Sequence, residues 1–414
     1  MENNPQRPKP DWPSVVVAGA FQTGVVLMRD LRKRGLKVCA FDCVPGQPGF
    51  KTIYGKTHLC PNPDSDPAGW MRFMLDLRQQ LGGVNPVLIP SADIFVSAIA
   101  EHASELAKHF VFCAEAMPVQ ALLATKKRQY EVAAKFGMPV PRTKFVGSLE
   151  EIREFSREAS FPCIVKPVHF RDWQKAAANH PLYCEKLTMA ASPEELESKY
   201  LLAAAINPEM VVQEIIQGPD TAKLVYLSCY GKDGTRLGSA LFRQMRTMPM
   251  NYGSASIVEP IDDTEAHDLA DNFLRSVGYA GICELELKRD TRDGTVKLIE
   301  ANPRYSVTSD AATYVGVELG WLHYLDLIGQ PVVPVGTQRW NVRHIVLSRD
   351  FGCIKQYRKA GLLTWGELLK SYRPPVGFFD FDVRDWRVTL DTAIGITKGL
   401  LYPAYRMIVP KKKH

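Results

Sequence analysis

Four polar side chains near residue 290 have the types and spacing to do chemistry together. Glu284 and Glu286 lie in Gly281-Ile282-Cys283-Glu284-Leu285-Glu286-Leu287-Lys288. Glu300 and Asn302 lie in Val296-Lys297-Leu298-Ile299-Glu300-Ala301-Asn302-Pro303-Arg304. Both stretches alternate as half-buried strands do, and the polar run Arg289 to Thr295, with Asp293-Gly294, reads as the turn of a hairpin. Folded about Asp293, the hairpin sets Glu286 opposite Glu300 and Glu284 opposite Asn302, with Leu285 opposite Ala301 and Leu287 opposite Ile299. Opposed residues, and residues two apart, share a face. One face is therefore apolar and the other carries carboxylates and an amide. Like charges opposed across a hairpin destabilise it, and a cation among them offsets the repulsion. A set of oxygen donors alone suits Mg2+ or Mn2+. The competing reading is a solvated strand face neutralised by neighbouring Lys and Arg.

A chain of 414 residues corresponds to two to four domains at about 100–200 residues each. Its 46% apolar and 23% charged content is ordinary for a globular protein. The net charge of +6 reads as mild and spread along the chain rather than gathered into a nucleic-acid stripe. Nine cysteines, an odd number scattered singly, fit free thiols in a reducing compartment; Cys39 and Cys43 have no second pair to make a zinc site. Met1 to Pro13 is polar and proline-rich, without the apolar core of a leader. No apolar run reaches the roughly 18 residues of a membrane span. These features point to a cytoplasmic protein.

The elements that must position the hairpin are legible in outline. Val15 to Ala18 reads as a buried strand, Gly19 to Gly24 as a turn, Val25 to Arg34 as a helix stopped at Gly35, and Lys37 to Phe41 as a second strand. This strand–turn–helix–strand unit opens a doubly wound sheet, but its turn lacks the central glycine of a dinucleotide fingerprint. Val87 to Pro90 is another strand, ending in Ser91-Ala92-Asp93, with a helix expected from Ile94 to His109. Ligands of open parallel sheets sit beyond the carboxyl ends of strands, so Ser91, Asp93 and the Gly19–Gly24 turn can line one crevice. Asp93 reads equally as a helix cap. Further along come a helix over Val119–Gly137, a capped helix from Ser148, a strand at Cys163–Lys166, a capped helix from Ser192, and a strand at Val211–Ile216. A hairpin over Lys223–Tyr230 and Leu237–Arg246, a helix over Asp262–Val277 and partial helix from Thr308 to Leu327 complete the reading.

In order along the chain stand Lys126 or Lys127 before Gly137-Met138-Pro139, then Phe161-Pro162-Cys163-Ile164-Val165-Lys166-Pro167, then Gln213-Glu214-Ile215-Ile216-Gln217-Gly218-Pro219-Asp220, then Glu286, Glu300, Asn302 and Arg304. This ordered set resembles the ATP-grasp superfamily, specifically its carboxylate–amine ligases, over roughly residues 14–330. Leu88-Ile89-Pro90-Ser91-Ala92-Asp93, Gly137-Met138-Pro139-Val140-Pro141 and Glu300-Ala301-Asn302-Pro303-Arg304 are similar to the branch that contains D-aspartate ligase-like proteins.

The resemblance implies an N-terminal doubly wound domain, a two-lobed α+β ATP-grasp unit and a C-terminal extension. ATP would lie between the lobes. Lys166 and Lys126 (or Lys127) would contact the phosphates as point charges, with Lys186 as a third contact or a plain surface lysine. Gln213 to Ile216 would be the hinge, the backbone of Glu214 and Ile216 reading the adenine edge and Asp220 the ribose. Glu286 and Glu300 would hold Mg2+ (or Mn2+) with Asn302, and Glu284 would stand behind them. Arg304, Arg243 and Arg246 would supply positive charge to the reacting groups. Two departures stand out: Gln244 occupies a place where the family often has lysine, and the loop His169 to Lys186 has no glycine. The implied chemistry joins a carboxylic acid, plausibly an amino acid, to an amine through an acyl phosphate, releasing ADP and phosphate.

The expected organisation is a disordered tail over 1–13, an N-terminal domain over 14–118, the ATP-grasp domain over 119–330 with a small lobe at about 143–217, and an extension over 331–414. The extension, rich in aromatics and ending in Lys411-Lys412-Lys413, has three readings: a packed small domain, a peripheral contact with an anionic membrane or lipid-linked acceptor, or a nucleic-acid surface. The expected partners are small-molecule carboxylate and amine substrates, without nucleic acid. An ATP-binding regulatory protein without turnover, or a ligase with a thiol or hydroxyl acceptor, are the alternatives. Oligomeric state is not readable.

Overall fold

The structure, a computed structural model, describes residues 11–168, 173, 176–177, 180–183, 185 and 187–408, except for the side chains of 126, 127 and 398–408. Lys186, Lys411 to Lys413, most of the His169–Lys186 loop and the side chains of Lys126 and Lys127 therefore lie outside the description. The chain divides into two compact units, one of residues 1–132, 219–287 and 300–414, the other of residues 133–218 and 288–299.

The first unit opens with β1 (Val15–Ala18), β2 (Val38–Asp42), β3 (Lys56–Leu59) and β4 (Val87–Pro90). They form a parallel sheet in the order β3-β2-β1-β4, with Val15 level with both Val38 and Val87. β1 and β2 are buried at every position, the unbroken apolar pattern of a parallel sheet covered on both faces. The helix Gln22–Lys33 begins inside the stretch expected to be a turn. Gly19 (φ +114°) and Gly24 make that entry possible: a Cβ on Gly19 would stand 2.6 Å from the Ser91 Oγ, and one on Gly24 2.0 Å from the Gly19 carbonyl oxygen. The helix expected over Ile94–His109 is broken at His102 into Asp93–Glu101 and Ala103–Leu106. That expected over Val119–Gly137 is broken at Thr125, which takes an extended conformation and donates its hydroxyl to the Ala121 carbonyl at 3.1 Å, an internal alternative to helix bonding open to threonine.

The sheet that carries the hairpin follows. β9 (Lys223–Tyr230), β10 (Arg236–Met248), β11 (Ser254–Pro260), β12 (Gly281–Arg289), β13 (Val296–Asn302), β14 (Arg343–Ile345) and β15 (Val376–Phe378) stand in the order β13-β12-β9-β10-β11-β14-β15. Residues 331–414 thus add two strands at one side of this sheet, β15 forming its edge, and lie in the first unit. One core joins the two sheets of this unit: Val15 and Val17 of β1 share it with Leu227, Phe242 and the helix Leu319–Leu327.

The second unit is built on β5 (Thr143–Val146), β6 (Cys163–Pro167), β7 (Thr188–Ala190) and β8 (Met210–Glu214), antiparallel in the order β5-β8-β6-β7. Ile152, Phe155, Leu196 and Tyr200 pack its two helices onto Val165 and Val212. Those helices, Leu149–Glu158 and Pro193–Ala204, start where expected, at Ser148 and Ser192, whose hydroxyls accept from the Glu151 and Glu195 amides. The hairpin tip belongs to this unit and is pinned by Asp290, which accepts from Lys297 at 2.9 Å and from Arg292 at 2.6 Å.

Candidate active site

In the first unit the carboxyl ends of β1 and β4 and the polar face of β12 and β13 line a cleft of about 440 Å³. Glu284 is 4% exposed and fully engaged. Its Oε1 accepts from Asn302 Nδ2 at 2.9 Å and its Oε2 from the Ser306 hydroxyl at 2.7 Å. Glu284 and Asn302 therefore meet as the alternation predicts. Glu286 and Glu300 line the same cleft. Burial, then the charges of Glu284 and Glu300, push the Glu286 carboxyl up to about 8 against the opposing pull of Lys223 and Arg349. Burial also raises Glu284, against donation from Ser306 and the charge of Arg304. At neutral pH Glu286 thus favours its protonated form, and a bound cation would displace that proton.

Arg304 leaves β13 and forks onto Asp93, Nε to Oδ1 at 2.5 Å and Nη2 to Oδ2 at 2.9 Å, with a further bond from Nη2 to Asn302 Oδ1 at 3.2 Å. Such a planar fork matches a carboxylate in a way a lysine could not. Asp93, read equally as cap or ligand contact, is not the cap; Ala92 holds that position without a side-chain bond. Ser91 donates to the Ala18 and Gly19 carbonyls at 3.2 and 3.1 Å, tying β4 to the first turn. Arg349, absent from the sequence reading, also lines the cleft and donates to the Ala255 carbonyl at 3.2 Å. It comes from the C-terminal residues, and no local pattern around it signalled the role.

Among the described residues, no group of three or more His, Cys, Asp or Glu side chains is arranged to hold a metal by itself. Mg2+ asks for less: one or two carboxylates, with the remaining oxygens from water and substrate phosphates. Glu286 and Glu300, both lining the cleft, offer two carboxylates toward it. The Asn302 amide nitrogen is taken by Glu284 and its oxygen accepts from Arg304, which leaves one lone pair of that oxygen for a further partner. The hard-oxygen character of this donor set fits a divalent cation.

Arg246, Arg243 and Asp220 are each engaged by partners within the protein. Arg246 is 4% exposed and locked onto Asp350, Nε to Oδ1 at 2.9 Å and Nη2 to Oδ2 at 2.8 Å. Asp350 also accepts from Ser256 at 2.6 Å and Tyr372 at 2.5 Å. Arg243 pairs with Glu259, opposite it on β11, and Glu259 also accepts from Arg343 at 3.1 Å. Neither arginine lines the cleft. Asp220, expected at the ribose, is 6% exposed and accepts from the Asn251 amide at 2.9 Å and the Tyr357 hydroxyl, with Lys223 Nζ at 2.9 Å. Tyr357 and Lys223 hold its carboxyl below the usual range although burial opposes them. Asp350 and Tyr357 come from a helix remote in sequence, whereas Glu259 stands on the strand next to Arg243. Gln244, at the place of the family's lysine, is 1% exposed, and its Oε1 has no partner among the described residues.

In the second unit Lys166 and Gln213 lie on one face of neighbouring strands, since Gln213 is opposite Ile164. Lys166 Nζ donates to Gln213 Oε1 at 3.2 Å, and Gln213 Nε2 donates to the Thr143 hydroxyl at 2.8 Å. The Gln213 side chain thus orients the lysine. The Glu214 amide is bonded to the Arg142 carbonyl at 3.0 Å and its carboxylate to the Ser160 amide at 2.6 Å. Ile216 is buried.

No family model matches the chain. It is 26% identical over 288 residues to the D-aspartate ligase of Enterococcus faecium, covering 65% of this chain and 66% of that protein. It is 29% identical over 154 residues to the formate-dependent phosphoribosylglycinamide formyltransferase of Bifidobacterium adolescentis, covering 36% of this chain and 35% of the relative. The chain spans less than two thirds of the length of these curated relatives. Among solved structures it is similar to N5-carboxyaminoimidazole synthetase from Staphylococcus aureus (TM-score 0.62, 14% identity, 86% of this chain and 88% of that one). It is also similar to the N5-carboxyaminoimidazole ribonucleotide synthetase from Thermotoga maritima (TM-score 0.56, 18% identity, 80% and 79%) and to biotin carboxylase from Campylobacter jejuni (TM-score 0.58, 15% identity, 80% and 74%). All of these are ATP-grasp enzymes, and the fold of this chain is the ATP-grasp architecture that the ordered motifs implied.

Proposed function

We propose that this chain is an ATP-dependent carboxylate–amine ligase. The observation that carries the reading is the cleft face on which Glu286, Glu300 and Asn302 stand together beside Arg304. Glu286 and Glu300, with the Asn302 oxygen, are the proposed holders of Mg2+ or Mn2+. That cation, when bound, neutralises negative charge on the phosphates. Arg304 and Arg349 are the proposed partners of the anionic groups of substrate, and Lys166, steadied by Gln213, is the proposed phosphate contact of the second unit.

The reaction this supports has two steps. A carboxylate oxygen of one substrate attacks the γ-phosphorus of ATP; the bond to ADP breaks and an acyl phosphate forms. The nitrogen of an amine then attacks the acyl carbon, phosphate leaves, and the amine loses a proton to give the amide. No covalent enzyme intermediate is needed, so the protein contributes positioning and electrostatic stabilisation. The similarity to a D-aspartate ligase favours an amino acid as the carboxylate.

The test is a phosphate-release screen with ATP, Mg2+ and a matrix of amino acids and amines, with products read by mass spectrometry. ADP, phosphate and a new amide in one combination support the proposal. AMP and pyrophosphate, or ATP cleavage indifferent to every acid and amine, contradict it. In the productive combination Lys166→Ala should raise the KM for ATP at least about tenfold, the loss expected when a charge-assisted phosphate contact is removed. An unchanged KM removes Lys166 from the site.

A further inference from the structure

The helix Trp386–Ile408 has two faces of opposite character. Its inner face is docked. Val388 is 9% exposed, Asp391 pairs with Lys51 at 2.5 Å, and the residues that lead into it, Asp385 and Asp382, bond to Thr52 and Tyr54. Its outer face is apolar and open: Trp386, Leu390 and Ile394, spaced by one helical turn each, are 58%, 51% and 43% exposed. Large apolar side chains standing in one row on a helix are not ordinary surface scatter. The sequence repeats the period onward through Leu401, Tyr405 and Ile408. The preceding helix in the chain, Trp365–Ser371, also exposes Trp365 and Leu369, with the Arg358 guanidinium 3.9 Å from the Trp365 ring.

Charge supplies the second, independent observation. Residues 386–414 carry Arg387, Lys398, Arg406 and Lys411 to Lys413 against the single acid Asp391, a net charge of +5 where the whole chain has +6. The mild balance that reads as spread is therefore concentrated in the last 29 residues, and Asp391 is already neutralised by Lys51. An open apolar stripe with an aromatic residue, in a segment whose sequence is rich in cations, is complementary to a surface that is apolar beneath and anionic above. Among the described residues no helix is long and apolar enough to cross a membrane.

We infer that this helix rests in the interfacial plane of an anionic phospholipid bilayer. Trp386, Leu390 and Ile394 enter the acyl boundary, and the basic residues meet the headgroups. Aromatic side chains favour this depth because one end is apolar and the other polar. The apolar stripe and the cationic cluster act together, since neither signal alone holds a protein firmly to a bilayer. The inference is independent of the ligase reading, because it uses none of the cleft residues.

The experiment is vesicle flotation of the full chain with phosphatidylcholine alone or mixed with phosphatidylglycerol, at low and raised salt. The bound fraction should be at least about tenfold higher on the anionic vesicles and should fall as salt screens the charges. Leu390→Glu/Ile394→Glu, at exposed positions, and Lys411→Ala/Lys412→Ala/Lys413→Ala should each lose about tenfold or more of that binding with unchanged circular dichroism. Failure of the unaltered chain to float, equal binding to both vesicle types, or undiminished binding by the Leu390/Ile394 variant overturns the proposal. A fall from dimer to monomer mass in that variant by light scattering, with no vesicle binding by the parent, assigns the stripe to a second copy of the chain instead.

Discussion

A carboxylate that must release a proton before it can hold a cation makes cation binding depend on pH. Glu286 is such a group, pushed up to about 8 by burial and by Glu284 and Glu300. Below that value cation binding must displace its proton, so Mg2+ affinity should rise by up to about tenfold per pH unit from pH 6 toward 8 and then level off. Calorimetric titration across that range checks it, and a flat profile would remove Glu286 from the cation's surroundings. The same shift acts on folding with a definite sign. The unfolded side chain ionises near its usual value of 4.5, while the cation-free fold resists ionisation up to about 8. Stability therefore falls as pH rises through that window. Glu286→Gln removes the penalty, so without divalent cation its melting temperature should exceed the parent's, and by more at pH 8 than at pH 5. Melting curves in chelator at both pH values would show it; a lower melting temperature for the variant at pH 8 would contradict it. The face that sets up this behaviour was readable from sequence because a period of two and a turn fix which side chains share a side. Arg349 was not readable, because a residue that joins the cleft from the helix Leu347–Lys359, well beyond the hairpin in sequence, leaves no local spacing to detect.

At the scale of elements, the seven-stranded sheet is held to the C-terminal segment by buried polar contacts rather than by apolar ones alone. The helix Leu347–Lys359 delivers Asp350 to Arg246 and Tyr357 to Asp220. Removing one partner of such a buried pair strands the other charge, which costs about 3–5 kcal/mol. Asp350→Ala should accordingly lower unfolding stability in urea by about 3–5 kcal/mol, and a change under about 1 kcal/mol would show that the pair is not buried as described. Arg246 was expected at the reacting groups and Asp220 at the ribose because their strand and loop positions matched a family pattern. Their actual partners lie more than 100 residues away in sequence, at Asp350 and Tyr357, where local reasoning has no reach. Conversely, the starts of the helices after Ser148 and Ser192 were legible in advance, because capping is settled within four residues.

For the molecule as a whole, the order of motifs conveyed the architecture better than any single motif conveyed a role. β1, β2 and β4 announced a parallel sheet through unbroken apolar runs, and the hairpin announced the acidic face of the cleft. Residues 331–414 gave no such signal. Their strands β14 and β15 are three residues each, too short for periodicity to register, yet they complete the edge of the main sheet. The account depends on Glu286, Glu300 and Asn302 binding a divalent cation together with ATP. The most direct measurement is calorimetric titration of ATP into the unaltered chain and into Glu300→Gln, each with Mg2+ and with chelator. The account predicts that Mg2+ tightens ATP binding at least about tenfold in the unaltered chain and that this gain disappears in Glu300→Gln, whose circular dichroism stays that of the parent. Equal ATP affinity with and without Mg2+ in the unaltered chain, or the full gain retained in Glu300→Gln, would contradict it.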